Sequence, residues 1–232
     1  MPRSEARFRT VSAGPPFGAI LLDLDGCLIA SNDAHARAWT AALRLFGRSV
    51  PPSRVRWQVG KGGAELLRDL VTPAEHFFLA SAMGAEQTRA FLQRFRREVR
   101  PIPGAAVAVR GMRRAGLPVV LASSAERKVI DRAVALLRIG DDLRGATSAD
   151  DVKKAKPFHD VFSLAVDRFR LSRRRPVAVG DTPYDIAAAH QMGLACIALR
   201  SGGYPDASLR TADWVCRDLA DLWTNHRELF AA

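Results

Sequence analysis

Ala19-Ile20-Leu21-Leu22-Asp23-Leu24-Asp25-Gly26 is an apolar run that ends in two carboxylates and a glycine. Its apolar residues fall on both parities, so a strand here has both faces buried, as in a parallel sheet covered by helices. Such a strand delivers the residue after it to the carboxyl edge of the sheet, where open α/β folds bind ligands. Two further stretches share this logic, Val119-Val120-Leu121-Ala122-Ser123 and Val177-Ala178-Val179-Gly180-Asp181-Thr182-Pro183-Tyr184-Asp185, and Lys156-Pro157 completes the set. Two acidic clusters, a hydroxyl and a lysine gathered at one edge suit Mg²⁺ and a phosphoryl group.

Outward from these stretches, the pattern divides the chain. Residues 33–100 read as helical and lack a convincing strand. Trp39, Leu43 and Phe46 form one apolar stripe. A second helix is expected over 64–71. A third helical region runs from Pro73 to Arg100, with Phe77, Phe78, Leu79, Phe91, Leu92 and Phe95 as core candidates and Gly84 as a point of division. After Pro101-Ile102-Pro103-Gly104 strands and helices alternate: strands at 119–122, near 143–147, 177–180 and 196–199, and helices at 104–115, 129–137, 157–169 and 185–192. The expected fold is α/β: a doubly wound, parallel-sheet Rossmann-like core, 17–32 and 101–232, with a small α-helical cap, 33–100. A helical insertion directly after the first strand hangs over the catalytic edge, which is why it reads as a cap. Residues 1–16 are expected to be a flexible N-terminal tail.

Composition narrows the function classes. The chain has 232 residues, 48% hydrophobic and 25% charged, an ordinary globular balance. No apolar run reaches the ~18–20 residues needed to cross a bilayer, so no membrane partner is expected. Cys27, Cys196 and Cys216 are too few and scattered for a disulfide framework, which points to a reducing, cytoplasmic setting. The formal net charge of +11 raises the possibility of a basic nucleic-acid-binding or regulatory protein. Almost all of that charge is arginine, and its densest cluster, Arg173-Arg174-Arg175, is not interleaved with stacking aromatics. It reads as a solvated turn, and nucleic acid is not the expected partner.

Each candidate side chain has a chemical reason. Asp23 is the expected nucleophile, forming an aspartyl-phosphate that water then hydrolyses. Two anions repel, so Mg²⁺ bound by Asp23 and Asp181, with Asp25 as a further ligand, must screen the attack. Asp25 serves as general acid, then base, and Gly26 leaves room at the phosphate. Ser123, with Ser124 as a near competitor, donates to phosphoryl oxygens. Lys156, with Lys153 and Lys154 as close alternatives, neutralises them; it is preferred because Pro157 at the first position of a helix sets its direction. Asp185, one turn beyond Asp181, holds a metal-bound water or Lys156.

Taken in order, these residues resemble the motifs of the haloacid dehalogenase superfamily. Asp23-Leu24-Asp25-Gly26-Cys27-Leu28 with Ser31 is similar to its first motif, Ser123 to the second, Lys156-Pro157 to the third and Gly180–Asp185 to the fourth. The spacing resembles the subgroup that contains phosphoglycolate phosphatase and β-phosphoglucomutase, with a helical cap after motif one. Asp25, which the dehalogenases themselves lack, implies transfer of a phosphate ester. Cys27 stands where threonine is commonest and Ala30 where aspartate is frequent. By the same resemblance His35 couples cap closure to proton transfer, and Lys61 and Gly62 belong to a loop facing the substrate. The arginine by which mutases grip a second phosphate is not evident. The resulting expectation is a Mg²⁺-dependent phosphomonoesterase acting on a small phosphorylated metabolite. A phosphosugar mutase is the enzymatic alternative, and oligomeric state is left open.

Overall fold

The computed structural model describes residues 16–231, apart from the side chain of Arg96. The tail expected at 1–16 therefore lies outside the described residues but for its last member. Six strands form one parallel sheet in the order β5-β4-β1-β6-β7-β8. They are β1 (Ala19–Leu22), β4 (Val119–Ala122), β5 (Gly145–Thr147), β6 (Pro176–Gly180), β7 (Cys196–Leu199) and β8 (Trp214–Cys216). β1 lies between β4 and β6, with Leu21 beside Val120 on one side and Ala178 on the other. The chain winds outward from β1 through β4 to β5, then crosses back to β6 on the opposite flank. Asp23, Ser123 and Asp181 follow three adjacent strands at that reversal, where such sheets open a ligand crevice.

Period-two alternation along β1 explains its apolar run. Ile20 and Leu22 enter one core cluster, with Val119, Leu121, Val177 and Val179 from the neighbouring strands. Ala19 and Leu21 enter the other, with Val120, Ala122, Ala178 and Ala198. Helices α5 (Ala105–Arg114), α6 (Arg127–Leu137) and α10 (Leu219–Asn225) cover the first face. The second is covered by α7 (Asp160–Arg168), α8 (Pro183–Gln191) and the short α9 (Asp206–Leu209). Strand β8 and helix α10 were not anticipated, because the three-residue WVC run is too short to stand out by pattern.

Four helices intervene between β1 and β4: α1 (Asn32–Leu45), α2 (Pro52–Arg56), α3 (Gly63–Arg68) and α4 (Pro73–Glu98). They share an apolar cluster of their own around Trp39, Leu43, Val55, Leu66, Leu67 and Met83. The chain leaves and re-enters the core through an antiparallel pair, β2 (Ile29–Ala30) against β3 (Arg100–Pro101). Pro52 opens α2, where its fixed φ suits the first position of a helix.

Several expected details change. Helix α4 runs unbroken through Gly84, started by a capping box in which Thr72 Oγ1 accepts from the Glu75 N–H and Glu75 returns to the Thr72 N–H at 2.9 Å. One glycine costs a 26-residue helix only about 1 kcal/mol, too little to divide it. Phe77 and Phe78 are exposed, at 81% and 76%, rather than core. The first turns of α4 turn only Leu79, Ala80 and Met83 toward α1 and α3. Helix α7 begins at Asp160, so Pro157 is not its first residue.

Candidate active site

The backbone delivers Asp23 to the sheet edge by one more ladder step, its N–H donating to Val179 O at 2.8 Å. Its carboxylate oxygen, one from Asp181 and the Cys27 sulfur all lie within 4.8 Å of one another. Gly26 turns the chain with φ +74, and a Cβ there would collide with the Asp181 carboxylate and Asn32. Glycine is therefore required twice over, by conformation and by space.

Lys156 is wholly buried, and its direction comes from two ion pairs rather than from a helix start. Its Nζ lies 2.8 Å from Asp23 Oδ1 and 2.7 Å from Asp185 Oδ1. Asp185 also accepts from the N–H and Oγ1 of Thr182, at 3.1 and 2.6 Å, closing the capping box of α8. So Asp185 holds the lysine and the helix together. Ser123 and Ser124 line the same cavity. Ser123 Oγ accepts from Ala125 N at 3.1 Å, and Ser124 Oγ accepts from Lys156 N at 3.2 Å.

Two buried carboxylates, Asp23 and Asp185, therefore share one ammonium, and Asp181 lies buried beside Asp23. Burial is the largest influence on Asp23 and raises it to about 7, with Asp185 and Asp25 pushing the same way against Lys156. Asp181 is driven well above the usual carboxylate range by burial, then by Asp185 and Asp23, although Asn32 Nδ2 donates to it at 2.8 Å. Burial lowers the proton affinity of Lys156, but Asp185 and Asp23 outweigh it and the net direction is upward. Asn32 Oδ1, in the same place, is buried without a hydrogen-bond partner. An excess of buried anionic oxygen with an unsatisfied amide oxygen is the donor set of a hard divalent cation, and it fits Mg²⁺. The Cys27 sulfur is too soft to be a ligand for such an ion. Burial raises its thiol well above the ordinary range.

Asp25 does not join that group. Its Oδ1 accepts from Ser31 Oγ and, at 3.1 Å, from His35 Nε2. Burial raises its pKa, but His35 and Ser31 outweigh the burial and the net direction is downward. Both donors engage Oδ1 of Asp25. His35 stacks on Phe91 with ring centroids 3.8 Å apart, and Gln87 Nε2 lies 3.1 Å from its Nδ1. With Gln87 donating to Nδ1, the ring proton sits on Nε2 and faces Asp25.

Over this edge lies a cavity of about 600 Å³. Its floor includes Asp23, Asp25 and Ser123; its roof includes His35, Gly60, Lys61 and Gln87. Gly62, expected to face the substrate, instead donates its N–H to Lys156 O at 3.0 Å, with Ala155 packed against it. Gly60 and Gly63 line the cavity in its place. The ammonium of Lys61 pairs with Asp69 and lies 4.8 Å from the centre of the Tyr184 ring. Tyr204 Oη donates to Trp57 O and Val59 O at 3.0 Å, and Arg56 donates to Gly202 O, clasping the helical insertion to the sheet edge. Asn32, Gln87 and Tyr204 escaped the sequence reading. None sits in an apolar run or a recognisable spacing, and each matters through a partner at least 52 residues away.

A family model for haloacid dehalogenase-like hydrolase matches residues 17–193. A phosphoglycolate phosphatase of Chromobacterium violaceum is 27% identical over 210 residues, covering 88% of this chain and 94% of that protein. The validoxylamine A 7'-phosphate phosphatase of Streptomyces hygroscopicus is 25% identical, covering 89% and 96%. Among solved structures, a hydrolase from Pseudomonas syringae superposes with a TM-score of 0.83 at 23% identity, covering 92% of this chain and all of that one.

Proposed function

The chain belongs to the haloacid dehalogenase-like hydrolases, and on that premise we propose that it is a Mg²⁺-dependent phosphatase acting on phosphate monoesters of small metabolites. The observation that carries this reading is the convergence of Asp23, Asp181 and Lys156 under one cavity at the sheet edge. The relatives named as phosphatases, at 25–27% identity over nearly the whole chain, support the same reaction class.

Asp23 and Asp181 would hold the cation, which would supply the positive charge that lets one anion approach another. A carboxylate oxygen of Asp23 attacks phosphorus, the phosphorus–oxygen bond of the ester breaks, and an aspartyl-phosphate forms. Asp25 gives its proton to the departing alcohol oxygen. As a carboxylate it then takes a proton from the water that attacks the acyl phosphate, freeing inorganic phosphate and restoring Asp23. Its ionised arrangement beside Ser31 and His35 is that of the second step. Ser123 and Lys156 meet the phosphoryl oxygens, and Asp185 keeps Lys156 aimed. Residues 33–100 act as the cap that closes the chamber against water.

Hydrolysis of an aryl phosphate, measured with Mg²⁺ and with chelator, tests the proposal. Activity is expected with Mg²⁺ and lost with chelator. Asp23→Asn is expected to be inactive, and an active variant refutes the nucleophile assignment. Analysis of products from a hexose phosphate separates this reaction from the mutase: free phosphate supports hydrolysis, isomerised sugar phosphate refutes it.

A further inference from the structure

Resting on the phosphatase reading, we infer that the leaving group is an uncharged alcohol of sugar or polyol size, rather than a carboxylate-bearing or second-phosphate-bearing one. Volume is the first argument. Beyond the reacting carboxylates the cavity is walled by small residues: Gly63 and Ala64 from α3, and Ala80, Ser81, Gly84 and Ala85 from α4. About 600 Å³ remains between insertion and sheet, within the range of pockets that enclose ligands much larger than a two-carbon acid.

Charge is the second, independent argument. Besides the reaction centre, the described lining carries two cations, Lys61 and Lys128. Lys61 is held by Asp69. Lys128 Nζ lies 2.9 Å from Glu126 Oε2, and Glu126 Oε1 accepts from Thr88 Oγ1 at 2.6 Å. Glu126 and Asp150 themselves line the cavity, and Asp150 Oδ2 accepts from the Arg127 N–H at 2.8 Å. A leaving group with its own negative charge would therefore sit beside the Glu126 and Asp150 carboxylates, with each lysine already paired. Like charges brought together are unfavourable. Hydroxyl groups face no such barrier, since Ser81 and the edges of Gln87 and Thr88 offer neutral polar contacts.

The test compares kcat/KM for glycerol phosphate and hexose monophosphates with that for phosphoglycolate and hexose bisphosphate, using an aryl phosphate as control. The best uncharged ester is expected to exceed both charged ones by about tenfold or more, the effect of a single uncompensated charge in a partly desolvated site. Aryl phosphate turnover with phosphoglycolate or the bisphosphate preferred overturns this inference and leaves the phosphatase reading standing. Aryl phosphate turnover with neither metabolite class accepted also overturns it. No turnover of any ester, aryl phosphate included, removes the phosphatase reading itself. A second variant probes the wall directly. Gly84 lines the cavity and has open space where a Cβ would stand, so Gly84→Arg places a cation at the cavity wall with no clash at its Cβ. It is expected to raise phosphoglycolate turnover relative to the best uncharged ester by about tenfold. An unchanged ratio in a variant that melts like wild type places the leaving group elsewhere and refutes the inference.

Discussion

Replacing Asp23 by asparagine separates what this side chain does for catalysis from what it costs the fold. In the metal-free protein Asp23 shares one lysine with a second buried carboxylate, Asp185, and burial raises its pKa from 3.8 to about 7. At about 1.4 kcal/mol for each tenfold change in proton affinity, holding it ionised costs the folded state about 4 kcal/mol. The sign follows from linkage. A carboxylate with a raised folded pKa carries no penalty below about pH 4, and the penalty grows until the pH passes about 7. An amide removes the charge but keeps the shape, and loses part of the gain because its hydrogen bonds are incomplete. About 2 kcal/mol of net stabilisation remains, a rise in Tm of roughly 4–8 °C for a domain of this size. Melting curves in chelator at pH 8 and pH 5 measure it. The variant should melt higher at pH 8, the difference should shrink at pH 5, and its activity should be absent. Mg²⁺ should stabilise wild type more than the variant, because binding to the folded state adds stability in proportion to affinity. A variant that melts lower than wild type in chelator at pH 8, or that gains as much from Mg²⁺, refutes the charge-excess account of this site.

Three further outcomes follow from the same geometry. Lys156→Met should lower kcat by about 10²–10³-fold and destabilise the fold by about 3–5 kcal/mol, since Asp23 and Asp185 lose their shared partner; denaturant unfolding and turnover read the two effects. The Asp151 side chain is 20% exposed, and although burial raises its pKa, Ser148 and Arg168 outweigh burial and lower it to about 2. Its contribution should be complete above pH 4 and vanish as pH falls toward 2, so Asp151→Asn should melt lower than wild type at pH 6 and equally near pH 2. Gly26→Ala should cost at least 1 kcal/mol from its positive φ alone and should weaken Mg²⁺ binding through its collision with Asp181, measured by titration calorimetry.

Most of the core was legible because its signals are local. β1, β4, β6 and β7 are short apolar runs buried on both faces, and each ends in turn chemistry that the sequence displays. Asp23, Ser123 and Asp181 could be placed because a strand end in a parallel sheet has only one edge to occupy. The misread details depend on packing rather than pattern. Phe77 and Phe78 have the composition of a core, yet no element covers them. Gly62 has the flexibility of a substrate loop, yet its N–H is spent on Lys156 O. Pro157 looked like a helix start, and α7 begins three residues later.

Residue order alone determined which elements form and which edge carries the acidic groups, since periodicity and turn chemistry act over a few neighbours. Tertiary structure decided how the charges are shared. Asp185 rather than a proline aims Lys156, His35 and Ser31 hold one oxygen of Asp25, and Asp69 and Glu126 claim the cavity lysines. The paired residues lie 2 to 29 positions apart in the chain, and an electrostatic interaction depends on distance and burial, which only the folded chain supplies.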